Sequence, residues 1–109
     1  MKPTTINILG TTYSITYCEK PSDVDIYRRD SLWGQIDYWT RTIRVYNGEN
    51  RPDHDILHTI IHESLHAIHQ GLHLKVWNAD NQQGHDDLDM VAMALADMLT
   101  RNDWLKGNV

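Results

Sequence analysis

The chain has 109 residues and a formal charge of −5 at pH 7. That length suits one domain, 1–109, with a modest core, and the negative balance argues against a nucleic-acid partner, because phosphate contacts need a Lys/Arg surface. The one cysteine, Cys18, excludes an internal disulfide and a thiolate metal cage and fits a reducing compartment.

No basic stretch leads into an apolar run at the start, and no run nears the ~20 apolar residues of a bilayer span, so a cytoplasmic protein without a membrane partner is expected. Residues 6–9 and 13–17 alternate Ile, Thr and Tyr around Gly10-Thr11-Thr12, the pattern of a hairpin. Residues 19–31 carry Pro21, several charges and no sustained period, and are expected to form a loop. Residues 32–39 and 42–46 form a second expected hairpin, joined near Thr40-Arg41, with Ile36, Tyr38, Ile43 and Val45 at alternating positions.

Pro52 and Asp53 signal a helix start, with Pro in the first turn and Asp capping free N–H groups. The helix is expected to run to Gln70, stop at Gly71, and bury Leu57, Ile60, Ile61, Ser64, Leu65 and Ile68. Residues 75–84 are polar and form a connection. A second helix is expected from His85 or Asp86 to Arg101-Asn102, packed through Leu88, Val91, Ala92, Leu95, Met98 and Leu99 and capped by Asp86 and Asp87. The tail, 104–109, is expected to dock through Trp104 and Leu105.

The chemistry concentrates in His62-Glu63-Ser64-Leu65-His66, an HExxH pentapeptide inside the apolar run 56–68. Residues four apart on a helix share one face, so His62 and His66 can aim both imidazoles at one Zn2+ ion, with Glu63 beside them as a proton acceptor. A catalytic zinc takes about three protein ligands and keeps one position open. His69 lies ~10.5 Å along the axis from His62, too far to share the ion. His54 and His58 extend the stripe as exposed or supporting residues. The third ligand is therefore expected from the second helix, where His85 and Asp89 lie four apart on one flank: one can bind the ion while the other supports a ligand.

The segments HTIIHESLHAIH, IDYWTRTIRVY before it and HDDLDMVAMALADMLTRNDWL after it resemble the small HExxH proteins of phages and prophages, minimal gluzincin-like metallopeptidases. The resemblance covers residues 34–105 and a similar opening hairpin. It implies an α+β fold of minimal zincin type, with a small, mostly antiparallel sheet packed on the HExxH helix and a second core helix, in the host cytoplasm if phage-encoded. It also implies His62 and His66 as ligands, Glu63 as general base and an acidic ligand on Asp89. This chain has aspartate where the family has glutamate, one methylene shorter, and His85 stands one turn earlier, so either the helix comes closer or His85 binds instead.

These readings converge on a zinc-dependent peptidase acting on a peptide or protein, the substrate pairing with the strand Thr42–Tyr46 by β-augmentation, and an oxyanion donor among Tyr38, Tyr46 and His73. A chain of this size is expected to leave little room for a deep specificity pocket. Two rival expectations are a closed structural zinc using both His85 and Asp89, and an interaction module that keeps the fold.

Overall fold

The structure, a computed structural model, describes residues 2–77 and 81–102. The expected docking of Trp104 and Leu105 lies outside these residues. β1 (Thr5–Ile8) and β2 (Thr11–Cys18) form one antiparallel hairpin, and β3 (Gly34–Asp37) and β4 (Thr42–Tyr46) form another. The first turn is Leu9-Gly10 alone, both at positive φ (52° and 84°), the two-residue geometry whose twist matches the flanking strands. Thr11 and Thr12, expected in that turn, instead pair with Ile8 and Asn7. In the second hairpin Asp37 accepts hydrogen bonds from the Trp39 and Thr40 amides, at 3.0 and 3.4 Å, and so closes the connection from its own side chain.

The hairpins join through a parallel pairing of β2 with β4, running from Ser14 opposite Thr42 to Cys18 opposite Tyr46, which gives the order β1-β2-β4-β3. The fold is α+β with a four-stranded sheet that is mostly antiparallel, as expected, but mixed, because the central β2–β4 pairing is parallel. The reason is the segment 19–33, which carries the chain across so that the second hairpin returns with β4 inward. β4 therefore has a neighbour on each side, and the expected addition of a peptide strand to Thr42–Tyr46 is blocked. The free edge beside the helices is β3.

Segment 19–33, expected as a loop, contains only a 3-10 turn at Pro21–Asp23, yet it is firmly tied. Asp25, 1 % exposed, accepts from the Tyr27 amide (2.9 Å), the Gln35 side-chain amide (3.1 Å) and the Arg29 amide (3.3 Å). Arg44 of β4 donates to the Val24 and Asp23 carbonyls at 2.8 and 2.6 Å. Val24, Cys18 and Tyr46 fill the space beneath.

α1 (Asp53–Gly71) carries two apolar faces. Ile56, Ile60 and Ala67 pack on Ile8, Tyr13, Ile15, Ile43 and Val45 of the sheet, while Leu65, with Ile61 and Ile68, packs on Leu88 and Ala92 of α2 (Gln82–Arg101). At ~100° per residue these faces are centred roughly 130° apart, so the single stripe expected from the sequence, which included Leu57 and left out Ile56, merged two surfaces. α1 begins with Pro52 as its cap and no side-chain cap hydrogen bond, so Asp53 contributes through the helix dipole only. Gly71 lies inside the helix, and the left-handed residue beyond its end is His73, at φ 54°.

α2 starts earlier than expected because Asn81 caps it, its side chain accepting from the Gly84 amide at 2.8 Å. Asp86 and Asp87 consequently pair with Gln82 and Gln83 one turn back and do not cap. Val91 and Met98, expected in the core, are 36 % and 42 % exposed, and the small Ala96 is buried in their stead. Among the described residues, no helix is long and apolar enough to cross a membrane.

The Tyr27 amide, with Gln35 and Arg29, outweighs the effect of burial and holds the Asp25 carboxyl down at about 2, against an ordinary 3.8. A depressed folded value gives stability that is present above the ordinary value and lost as pH falls through the folded one. Melting temperatures measured between pH 5 and 2 are therefore expected to fall less steeply for Asp25→Asn than for the wild type; equal slopes would show that Asp25 does not anchor segment 19–33 in its charged form.

Candidate metal centre

The helical period sets His58, His62 and His66 on successive turns of one α1 flank, roughly 200–280° round from Ile56. That flank lies between the face covered by α2 and the strip of Thr59 and Glu63 that meets β3. Contact with β3 is close because residue 34 is glycine: a Cβ there would run into the Thr59 side chain and stand 3.3 Å from Glu63 Oε2. On the other side, the capped first turn of α2 presents His85, and the next turn presents Asp89.

The second helix thus delivers both expected residues, but to different atoms. The His85 ring centroid stands 5.0 Å from that of His62 and 5.8 Å from that of His66. Asp89 Oδ1 lies behind, 2.7 Å from His62 Nδ1 and 3.0 Å from His58 Nε2. Burial raises the Asp89 carboxyl, but the His62 hydrogen bond and the adjoining His58 outweigh it and leave the group below its usual value, an anion near neutrality. An anionic acceptor at 2.7 Å requires the proton on His62 Nδ1. His62 Nε2 is then a free lone pair, and it faces His66 Nε2 at 3.2 Å.

Two imidazole nitrogens bound to a tetrahedral zinc at ~2.0–2.1 Å lie ~3.3 Å apart. The His62–His66 separation of 3.2 Å matches that edge, and His62, His66 and His85 each offer a ring nitrogen within 4.8 Å of the others. These residues fit a metal ion. His58, His62 and Asp89 form a second group of suitable spacing, but it uses the Nδ1 side of His62, and its separations of 2.7 and 3.0 Å are those of hydrogen bonds to a carboxylate.

Burial, reinforced by His62 and His85, pushes His66 down to about 4; burial also lowers His62, partly offset by Asp89. Both are neutral imidazoles at neutral pH, the form that can bind a metal ion. Glu63, 7 % exposed, has Oε2 3.8 Å from His62 Nε2. Burial and then the Asp89 charge push it up to about 8, against a hydrogen bond from the Ile36 amide of β3. The helix thus holds a protonatable carboxyl beside the histidines.

The site lies in a cleft of about 950 Å3 that follows the free side of β3 from Leu32 to Tyr38, near the upper end of the size of small-ligand sites and larger than expected for this chain. Tyr38 lines it, its hydroxyl pushed up to about 12 by burial and then by the Glu63 charge. Tyr46 lines it as well, though only 5 % exposed, whereas His73 belongs to a separate small pocket with Arg41 and Gln70. His69 accepts from the Trp77 amide at 3.1 Å and stacks on that ring, away from the centre. His54 meets Thr100 at the far end of α2.

The sequence reading missed Gly34, Ile36, Trp33 and Arg51 as parts of this cleft. The glycine inside a strand pattern was the available signal, since it marks close approach of another element. No protein-family model, curated protein or solved structure matches the chain, so the interpretation of the site rests on its own chemistry.

In metal-free protein, nitrogen-detected NMR is expected to find His62 neutral and protonated on Nδ1, and His66 titrating near pH 4. A His62 protonated on Nε2 would contradict the hydrogen bond to Asp89.

Proposed function

We propose that this chain is a zinc-dependent peptidase of minimal zincin type, in which His62, His66 and His85 hold the ion and Glu63 is the general base. The observation that carries the reading is the pair of facing Nε2 atoms 3.2 Å apart, with His85 closing a third side and a buried carboxyl 3.8 Å away. The resemblance of residues 34–105 to small phage and prophage HExxH proteins, read from the sequence motifs alone, implies the same architecture.

A zinc ion bound there supplies a Lewis acid that acidifies water and polarises a carbonyl. Glu63 accepts a proton on its carboxylate and returns it to the leaving amine; a nearby cation favours the charged form that this requires. The Ile36 amide fixes the Glu63 carboxylate beside the edge strand. Asp89, the acidic ligand implied by the resemblance, is assigned instead to hold the His62 ring and its tautomer. His58 holds Asp89 from the other side. Tyr38, whose hydroxyl stays protonated, is the donor best situated for a developing oxyanion, because it is exposed in the cleft and near enough to feel the Glu63 charge, whereas Tyr46 in the same cleft is buried.

The edge strand supports a peptide substrate. The Tyr46 amide bonds the Trp33 carbonyl at 2.9 Å, which makes Trp33 and Tyr46 a hydrogen-bonded pair. Alternation along an antiparallel ladder then turns the backbone groups of Gly34 and Ile36 outward, towards the cleft. An extended peptide can pair with the Gly34 amide and the Gly34 and Ile36 carbonyls, the Ile36 amide being engaged by Glu63. A closed structural zinc would need Asp89 on the same side of His62 as His85, and the carboxylate bonds Nδ1 instead.

Zinc affinity from chelator competition, measured beside peptide hydrolysis, tests the assignment. The wild type is expected to bind about one ion; His85→Ala loses it, and Asp89→Ala weakens it by about 10- to 100-fold. Glu63→Gln keeps the zinc and lowers turnover by about 100-fold or more. Unaltered hydrolysis in Glu63→Gln would remove it as the base, and equal zinc loss in both other variants would make Asp89 a ligand.

A further inference from the structure

We propose that the end of the cleft beyond Glu63, built on Trp33, is a side-chain subsite for a large apolar residue of the bound peptide; this rests on the peptidase reading and adds the substrate class. Trp33 is 64 % exposed yet held in place. The Arg51 guanidinium lies 5.0 Å from its ring centroid, and the Tyr46 ring backs it at 5.6 Å. Arg51 is in turn fixed by hydrogen bonds to the Tyr46 and Asp55 carbonyls and to the Thr59 hydroxyl. Leu32 and Pro52 line the same end of the cleft. A large aromatic surface that is exposed but already immobilised loses little entropy when a side chain packs on it.

The spacing fits a peptide on the β3 edge. Thr59, which anchors Arg51, precedes Glu63 by one helical turn, ~6 Å along α1. Side chains two apart on an extended strand, on the same face, are ~6.6 Å apart. A peptide paired with Gly34 and Ile36, with its scissile bond at Glu63, therefore brings a neighbouring side chain to the Trp33 end.

The charges around the subsite do not favour an ionic side chain strongly, because Arg51 on Trp33 and the carboxylates Glu49 and Asp55, which line the same cleft, offset one another. The exposed Trp33 ring is left to set the preference, which suits an aromatic or branched aliphatic side chain.

The test is a set of short peptides carrying Phe, Leu, Ala, Asp or Lys at each position in turn, with cleavage sites mapped by mass spectrometry. Zinc-loaded wild type is expected to cleave Phe and Leu peptides at a fixed distance from that residue, with kcat/KM about tenfold above the Ala peptide. Trp33→Ala is expected to bring the Phe and Ala peptides to the same value, and Trp33→Phe to restore most of the difference. Calorimetric binding to zinc-loaded Glu63→Gln protein reads the preference without turnover. A Phe preference there, lost in the Trp33→Ala, Glu63→Gln double variant, supports the subsite even if the wild type cleaves nothing, a result that would sink the peptidase reading alone. Equal binding of all five peptides, or a preference that survives Trp33→Ala, overturns the subsite.

Discussion

Asp89 Oδ1, shared between His58 and His62, is the contact on which the arrangement of the site depends. It is a polar link between α2 and α1, set beside the apolar packing of Leu65 on Leu88 and Ala92. Because the carboxylate is anionic, it fixes the His62 proton on Nδ1 and leaves Nε2 bare, pointing at His66. The same contact sets the rotation of α2, which carries His85 one turn earlier onto the open side of the two imidazoles. A hydrogen bond between helices thus decides which of two neighbouring donors faces the Nε2 atoms of His62 and His66.

The second constraint is the crowding of α1 between two partners. A helix that buries about 130° of separation between its apolar faces has one flank left, and on α1 that flank carries His58, His62 and His66. β3 closes the near side only because Gly34 lets the helix come close enough for Glu63 to reach the Ile36 amide. Burial then raises Glu63 and lowers both neighbouring histidines, so the groups least charged in the metal-free protein are those that a cation would recruit.

Much of this was legible in the sequence, and the failures have physical causes. Local signals served well: Ile36, Ile43 and Val45 gave the second hairpin, and the period from Ile56 to Ile68 gave α1 with both HExxH histidines on one flank. What depends on distant pairing was not legible. The parallel match of β2 to β4 is set by how segment 19–33 crosses the sheet and by the buried Asp25 that ties it, and no local pattern encodes either. The choice of edge strand followed from that topology, so the free edge was expected on β4 and lies on β3. The start of α2 was misjudged because Asn81 lies in a polar stretch where many residues can cap. Whether His85 or Asp89 faces the ion position turns on a helix rotation that spacing alone leaves open, since both stand on one flank.

The central claim is a three-imidazole site with its fourth position open, and zinc K-edge absorption spectroscopy of the loaded protein tests it most directly. The account predicts about three imidazole ligands and one light oxygen scatterer, with two imidazoles after His85→Ala and three retained after Asp89→Asn. Two imidazoles with a bound carboxylate in the wild type, one scatterer of which disappears in Asp89→Asn, would contradict it.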